Sequence, residues 1–364
     1  MAENQLKPGG PRSAGSIPLR RVPQVWPEGR PFRILSLDGG GIRGIYAASI
    51  LADLEQRYCG GRRVAEYFDL IAGTSTGGIL ALGLGAGLPA GELRDLYVIR
   101  GNEIFPERKD SFAGRLKSLT EDVLQFVLYR YERDAVASLL TQKLRGKLFG
   151  ESLNRLVIPS FDGKHSEVFV YKTPHHADYK FDRFEKMVTV ALATSAAPTF
   201  FRPFPNGGYQ LVDGGVWANN PIMLAVIEAL TCFTVRPEQI EVLSIGTGED
   251  PYVVNSMQIA FGGKLMWADS IFAAMRLQSM AATNQARLLL GPPAITRLLR
   301  GSFTPPIDLD DWRRAHDLLP GEATKTLAAS GDAIAARFLT HQAEPYVPVP
   351  PDPSALPFKA LGLL

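Results

Sequence analysis

Gly73-Thr74-Ser75-Thr76-Gly77 places a serine between two glycines in the pattern G-x-S-x-G. The residues before it, Phe68-Asp69-Leu70-Ile71-Ala72, suit a short buried strand, and Gly78 to Leu84 suits a buried helix. A strand-to-helix turn of this composition forms a nucleophile elbow, in which the flanking Gly73 and Gly77 permit the bend that exposes the serine oxygen. Such a serine needs a proton acceptor. The five histidines, His165, His175, His176, His316 and His341, all lie outside the glycine turns and are expected at the surface. A serine–histidine–aspartate triad would require one of them to reach the turn.

Two further glycine turns supply candidates. Pro31 to Leu37 reads as a strand running into Asp38-Gly39-Gly40-Gly41-Ile42-Arg43-Gly44, and Ala47, Ile50, Leu51, Leu54 and Tyr58 then follow at helical spacing. The unpaired N–H groups of such a turn suit a phosphate, or the oxyanion formed when a serine attacks an ester. Asp213-Gly214-Gly215 ends a third strand, Tyr209 to Val212, and Asn220 and Pro221 cap and open a helix. In an open parallel sheet, turns that leave strands toward helices share one edge. That edge would bring together Ser75, Asp213 and the N–H groups of Gly40 and Gly41.

The ordered set DGGGIRG (38–44), FDLIAG (68–73), GTSTGG (73–78), ATSAAPTFF (193–201), DGG (213–215) and LSIGTG (243–248) resembles the patatin-like phospholipase family from about Phe32 to about Gly248. The resemblance implies a three-layer α/β/α sandwich with a mostly parallel central sheet. It also implies hydrolysis of lipid acyl esters by a serine–aspartate dyad, with no catalytic histidine, metal or cofactor. Carried over by motif, Ser75 is the nucleophile and Asp213 the base. Gly39, Gly40 and Gly41 form the oxyanion hole, helped by Arg43. The chain also looks like bacterial anti-phage effectors of this family that cyclic dinucleotides switch on.

The same residues admit competing roles. Asp38 is expected to brace its turn through backbone N–H groups, and Asp69, inside an apolar strand, to be a structural hydrogen-bonding residue. Arg43 sits at the positive end of a helix, an unfavourable place for a cation, which suggests that it orients the turn or holds a lipid phosphate. Gly39 to Gly44 also satisfies the G-x-G-x-x-G of dinucleotide binding. No acidic residue ends a second strand at the required distance, however, and GTSTG and the second DGG go unexplained. A ligand-binding pseudoenzyme is the other alternative, and the intact dyad argues against it.

Around these turns the chain alternates strands (156–159, 168–171, 240–245) with helical stripes, one through Leu139, Leu140, Leu144 and Leu148, another through Phe184, Met187, Val188, Ala191, Leu192 and Ser195. Residues 1–30 are expected as a Pro/Gly-rich flexible arm and 31–320 as the catalytic domain, with a helical insert at 102–150 near the mouth of the site. Residues 321–364 are expected as an extension, with Glu344 to Pro357 extended along the surface. The 364 residues are 46% hydrophobic with net charge +2, which supplies a core and gives no sign of a nucleic-acid partner. Cys59 and Cys232 are expected as reduced core thiols. No secretory h-region or membrane span is evident, so a cytoplasmic enzyme acting at the inner membrane face is expected. Ser270 to Ile307 holds Arg276, Arg287, Arg297 and Arg300 and no acid. Packing on the core with solvated arginines is the first expectation for it, and contact with an anionic membrane or an anionic activator, with homo-oligomer assembly, is the alternative.

Overall fold

The computed structural model describes residues 21–104, 130–248 and 270–351. Its strands are β1 (Phe32–Leu37), β2 (Leu70–Gly73), β3 (Arg155–Asp162), β4 (Glu167–Lys172), β5 (Phe204–Asn206), β6 (Tyr209–Asp213), β7 (Ile240–Ile245) and β8 (Ile295–Leu298). Its helices are α1 (Ile45–Tyr58), α2 (Thr76–Gly85), α3 (Ala90–Val98), α4 (Gly101–Ile104), α5 (Asp134–Leu144), α6 (Met187–Thr194), α7 (Gly215–Ala218), α8 (Ile222–Cys232), α9 (Ser270–Leu290) and α10 (Trp312–Phe338).

The strands form one sheet in the order β5-β6-β3-β2-β1-β7-β8, with β4 also paired to β3. From β3 to β8 the pairings are parallel, and β4, β5 and β6 are antiparallel additions. Alternation along β1 builds three layers: Leu35 and Leu37 pack with α1, α2 and α10 on one face, Phe32 and Ile34 with α8 and the inner side of α9 on the other. Helix α2 is buried along its whole length, as its apolar sequence requires.

Several boundaries differ from the sequence reading. Arg145 takes a left-handed conformation that ends α5, so Leu148 falls outside its stripe. Phe184 belongs to a separate 3-10 turn and precedes the extended Lys186 that caps α6. Asn220 and Pro221 both sit one position earlier than expected, since Pro221 is the N-cap of α8, although Asn220 Oδ1 still accepts from Ile222 N–H at 3.0 Å. In the described part of the N-terminal arm, Trp26 is buried against Phe32 and Phe233, so residues 21–30 dock on the core. Helix α10 continues through residues 320 and 321 and buries Leu319 and Leu327 in one core; a boundary there divides a single element. Tyr346 is buried, and Val349 N–H bonds Pro174 O at 2.8 Å, which lays the start of the proline-rich tail on the surface. Cys59 and Cys232 are free and buried. Residues 1–20, 105–129 of the insert and 352–364 lie outside the described residues.

Candidate active site

Strand β2 delivers the chain to Ser75, whose φ of 54° and ψ of −120° lie where a non-glycine residue is strained. The surroundings hold it there. Ser75 N–H bonds Thr194 Oγ1 at 3.1 Å, Thr74 N–H bonds Leu37 O at 3.1 Å, and Thr74 Oγ1 bonds Ala218 O at 2.7 Å. Beyond the serine, α2 starts against the end of β1. A Cβ on Gly77 would stand 2.3 Å from Leu37 O, so only glycine lets the helix approach this closely. Gly73, the last residue of β2, completes the elbow.

Asp213 arrives by a route the parallel-sheet argument did not foresee. Strand β6 runs antiparallel to β3, with Asp213 opposite Ser160. Val157 of β3 pairs with both β2 and β4, and Ser160 pairs with both β6 and β4. Strands β2 and β6 therefore share one edge of β3, and β6 descends onto the space where β2 stops. Its last residue lands beside the elbow. Asp213 N–H bonds Ala196 O at 3.0 Å and Gly214 N–H bonds Thr194 O at 3.3 Å, so the 193–201 segment ties serine and aspartate to one scaffold. Burial raises the Asp213 pKa to about 6; hydrogen bonding with the Ser75 side chain and the Gly215 N–H, 2.7 Å from Oδ1, pulls it back down.

The glycine turn after β1 is fixed by its carbonyls. Gly39 O accepts from Thr247 Oγ1 at 2.9 Å, Gly40 O from Arg43 N–H at 3.1 Å and Arg43 Nε at 3.4 Å, and Gly41 O from Thr76 Oγ1 at 2.7 Å. Gly39 N–H donates to Asn219 O at 3.0 Å, so it is committed and unavailable to an oxyanion. Gly40 and Gly41 line the same cleft as Ser75 and Asp213. Arg43 holds the turn, in keeping with the first of its two expected roles.

The cleft has apolar walls that include Ile79, Phe200, Phe201, Met275 and Leu309. From the expected insert, Ile104 and Val136 reach it. None of the five histidines lines it. The expectation of surface histidines is corrected for two of them: His175 and His176 are buried. His175 Nε2 meets Glu228 Oε1 at 3.0 Å and its Nδ1 meets Thr173 Oγ1 at 2.9 Å. Burial lowers its pKa against the pull of Glu228. Burial also opposes ionisation of Glu228, but His175 and Lys172, whose Nζ lies 2.6 Å from Oε2, hold its pKa well below the usual range. His175, Glu228 and Cys232 bring ligand-type atoms within 4.8 Å of one another, a grouping that sequence spacing did not suggest. Glu228 Oε1 already receives His175, Tyr179 and Cys232, and Lys172 supplies the balancing charge.

The basic segment also departs from expectation. Arg297 forms a buried two-pronged pair with Asp38, at 2.7 and 2.5 Å, and bonds Ser244 Oγ at 2.7 Å. Buried Arg300 bonds Thr247 O at 2.8 Å. Two of the four arginines are thus internal braces and offer no surface charge. Asp38 answers a guanidinium where turn amides were expected. Asp69 is structural as expected, accepting from Arg33 N–H at 2.9 Å and Arg30 at 3.1 Å.

A family model for patatin-like phospholipase matches residues 35–226, more than half of the chain. The chain belongs to the patatin-like phospholipase family. As a member it is an enzyme, a lipid acyl hydrolase. Among its patatin-like relatives, a cGAMP-activated phospholipase from Pseudomonas aeruginosa is 33% identical over 328 residues, 86% of this chain and 93% of the relative. A protein of the same name from Vibrio cholerae is 33% identical over 267 residues, 70% and 74% of the two chains. The crystal structure of VipD from Legionella pneumophila aligns over 88% of this chain and 73% of that one, with a TM-score of 0.40 and 14% identity. Among the described residues no helix is long and apolar enough to cross a membrane.

Proposed function

We propose that this enzyme hydrolyses the acyl esters of membrane phospholipids through a Ser75–Asp213 dyad, under the control of a cyclic dinucleotide. The observation that carries the dyad is the meeting of a strained serine and a buried, pKa-raised aspartate in one apolar cleft. Asp213 takes the Ser75 proton as Oγ attacks the ester carbonyl. The N–H groups of Gly40 and Gly41 receive the oxyanion. The Asp213 proton passes to the departing lysophospholipid oxygen as the carbon–oxygen bond breaks, leaving an acyl-serine. Water then attacks the acyl carbon, gives its proton to Asp213, and the fatty acid leaves as Ser75 recovers a proton. The acyl chain suits the walls formed by Ile79, Phe200 and Leu309.

Activation by a cyclic dinucleotide is supported by the relatives that carry cGAMP activation in their names; a role in anti-phage defence at the inner membrane face is proposed along with it. The four arginines of residues 270–307 do not form one surface for the activator, because Arg297 and Arg300 are consumed internally. The decisive experiment measures fatty-acid release from defined phospholipids with and without a panel of cyclic dinucleotides. Full release by the purified enzyme alone would refute the control, and no release under any condition would refute the hydrolase reading.

A further inference from the structure

We infer that Thr247 is a positioning residue for the reaction, setting the direction of the Gly40 N–H by gripping the other end of the same peptide. The inference rests on the reading of Gly40 and Gly41 as oxyanion donors. In a planar trans peptide the C=O of one residue and the N–H of the next point in opposite directions. The Gly39 carbonyl and the Gly40 N–H belong to one such plane. Thr247 Oγ1 donates to Gly39 O at 2.9 Å, and Thr247 is not among the residues that line the cleft with Gly40 and Ser75. A peptide between two glycines has unusual freedom to rotate. Among the described residues Thr247 alone holds this carbonyl, so its hydroxyl decides whether the N–H faces the substrate.

Thr247 is built for the task. It is buried, it lies two residues past the end of β7, and its own carbonyl is fixed by Arg300 Nε at 2.8 Å. The neighbouring Gly246 N–H is fixed by Leu298 O at 2.9 Å. Its side chain also lies so near the turn that a Cβ on Gly40 would stand 2.2 Å from Oγ1. The second donor is aimed separately, because the Gly40 carbonyl, in the plane of the Gly41 N–H, is held by Arg43. Loss of Thr247 should therefore disturb one donor of two.

The test compares Thr247→Val, which keeps the shape and removes the donor, with Thr247→Ser, which keeps the donor. Turnover, KM and the rate of inactivation by a fluorophosphonate are measured on each, with thermal melting to confirm folding. Deleting an oxyanion donor costs about 10²–10³-fold, and misaiming one should cost about 10–100-fold in kcat with KM changed by less than about threefold. The fluorophosphonate rate should fall in parallel, since that adduct forms around the same oxygen position, and Thr247→Ser should recover most of both rates. If Thr247→Val does not fold, Thr247→Ala, which only removes atoms, takes its place. A folded Val or Ala variant with wild-type kcat, or a Ser variant as slow as Val, overturns the inference. Wild-type hydrolysis that survives Ser75→Ala overturns instead the dyad reading beneath it.

Discussion

Asp213 stands opposite Ser160 in the antiparallel register of β6 on β3, and this pairing sets the height at which the carboxylate meets the elbow. A one-residue slip of β6 would turn Asp213 to the other face of the sheet. Ser160 Oγ, bonded to Val212 O at 2.7 Å, helps to lock the register.

Ser75→Ala should reduce phospholipid hydrolysis by about 10⁴-fold or more and leave the melting temperature at or above that of the wild type, because the variant loses only the hydroxyl. Fluorophosphonate labelling followed by peptide mapping checks the assignment. Modification persisting at another residue of the variant, together with activity, would move the nucleophile elsewhere.

The base must be ionised to accept a proton. With Asp213 at about 6, kcat/KM should fall as pH drops through that value, with a slope of one proton. A pH–rate profile on a substrate that does not itself titrate tests this. Activity undiminished down to pH 4 would exclude Asp213 as the base.

The same shift has a stability consequence of defined sign. The folded pKa lies above the unfolded one, so Asp213 costs nothing below about pH 4, and its ionisation penalises the folded state as pH rises through 6. Asp213→Asn should thus abolish turnover yet stabilise the fold at pH 8 by on the order of 3 kcal/mol. The gain should vanish at pH 4. Urea unfolding at the two pH values measures it, and equal gains at both would contradict the burial argument.

Arg297→Gln removes the guanidinium that holds the buried Asp38 carboxylate on two prongs. Breaking a buried pair from one side costs about 3–5 kcal/mol. Adding Asp38→Asn should return much of that loss, because no uncompensated charge remains. A double-mutant cycle by chemical denaturation reads the coupling, and additive losses would show that the pair matters little.

His175→Gln should lower the melting temperature, because Glu228 and Thr173 both lose their buried ring partner. At a temperature where the variant is folded, kcat/KM should stay within about threefold of the wild type. A loss as deep as that of Ser75→Ala in a folded variant would instead support a triad.

The local grammar of this site was largely legible in the sequence. Strand, glycine turn and helix at 38–44 and 73–77 are short-range patterns, and the chain forms both. Asp213 lines one cleft with Ser75 as expected, but β6 is antiparallel and reaches that edge from the opposite direction. What the sequence withheld was long-range pairing. Nothing near Asp38 announces Arg297 on another strand, and nothing near His175 announces Glu228 as its buried partner. Thr194 and Thr247 sat inside quoted motifs, yet a hydroxyl that holds a distant backbone has no local signature.

The grip of Arg297 on Asp38 and of Arg300 on Thr247 bears on biosynthesis. A ribosome completes the serine and the aspartate well before it makes these two arginines. A nascent chain thus exposes an acyl-transfer pair whose neighbouring turn has not yet been clamped. A chain arrested after residue 248 is expected to be catalytically silent even where its core has formed. Full turnover is expected only once synthesis has passed residue 300.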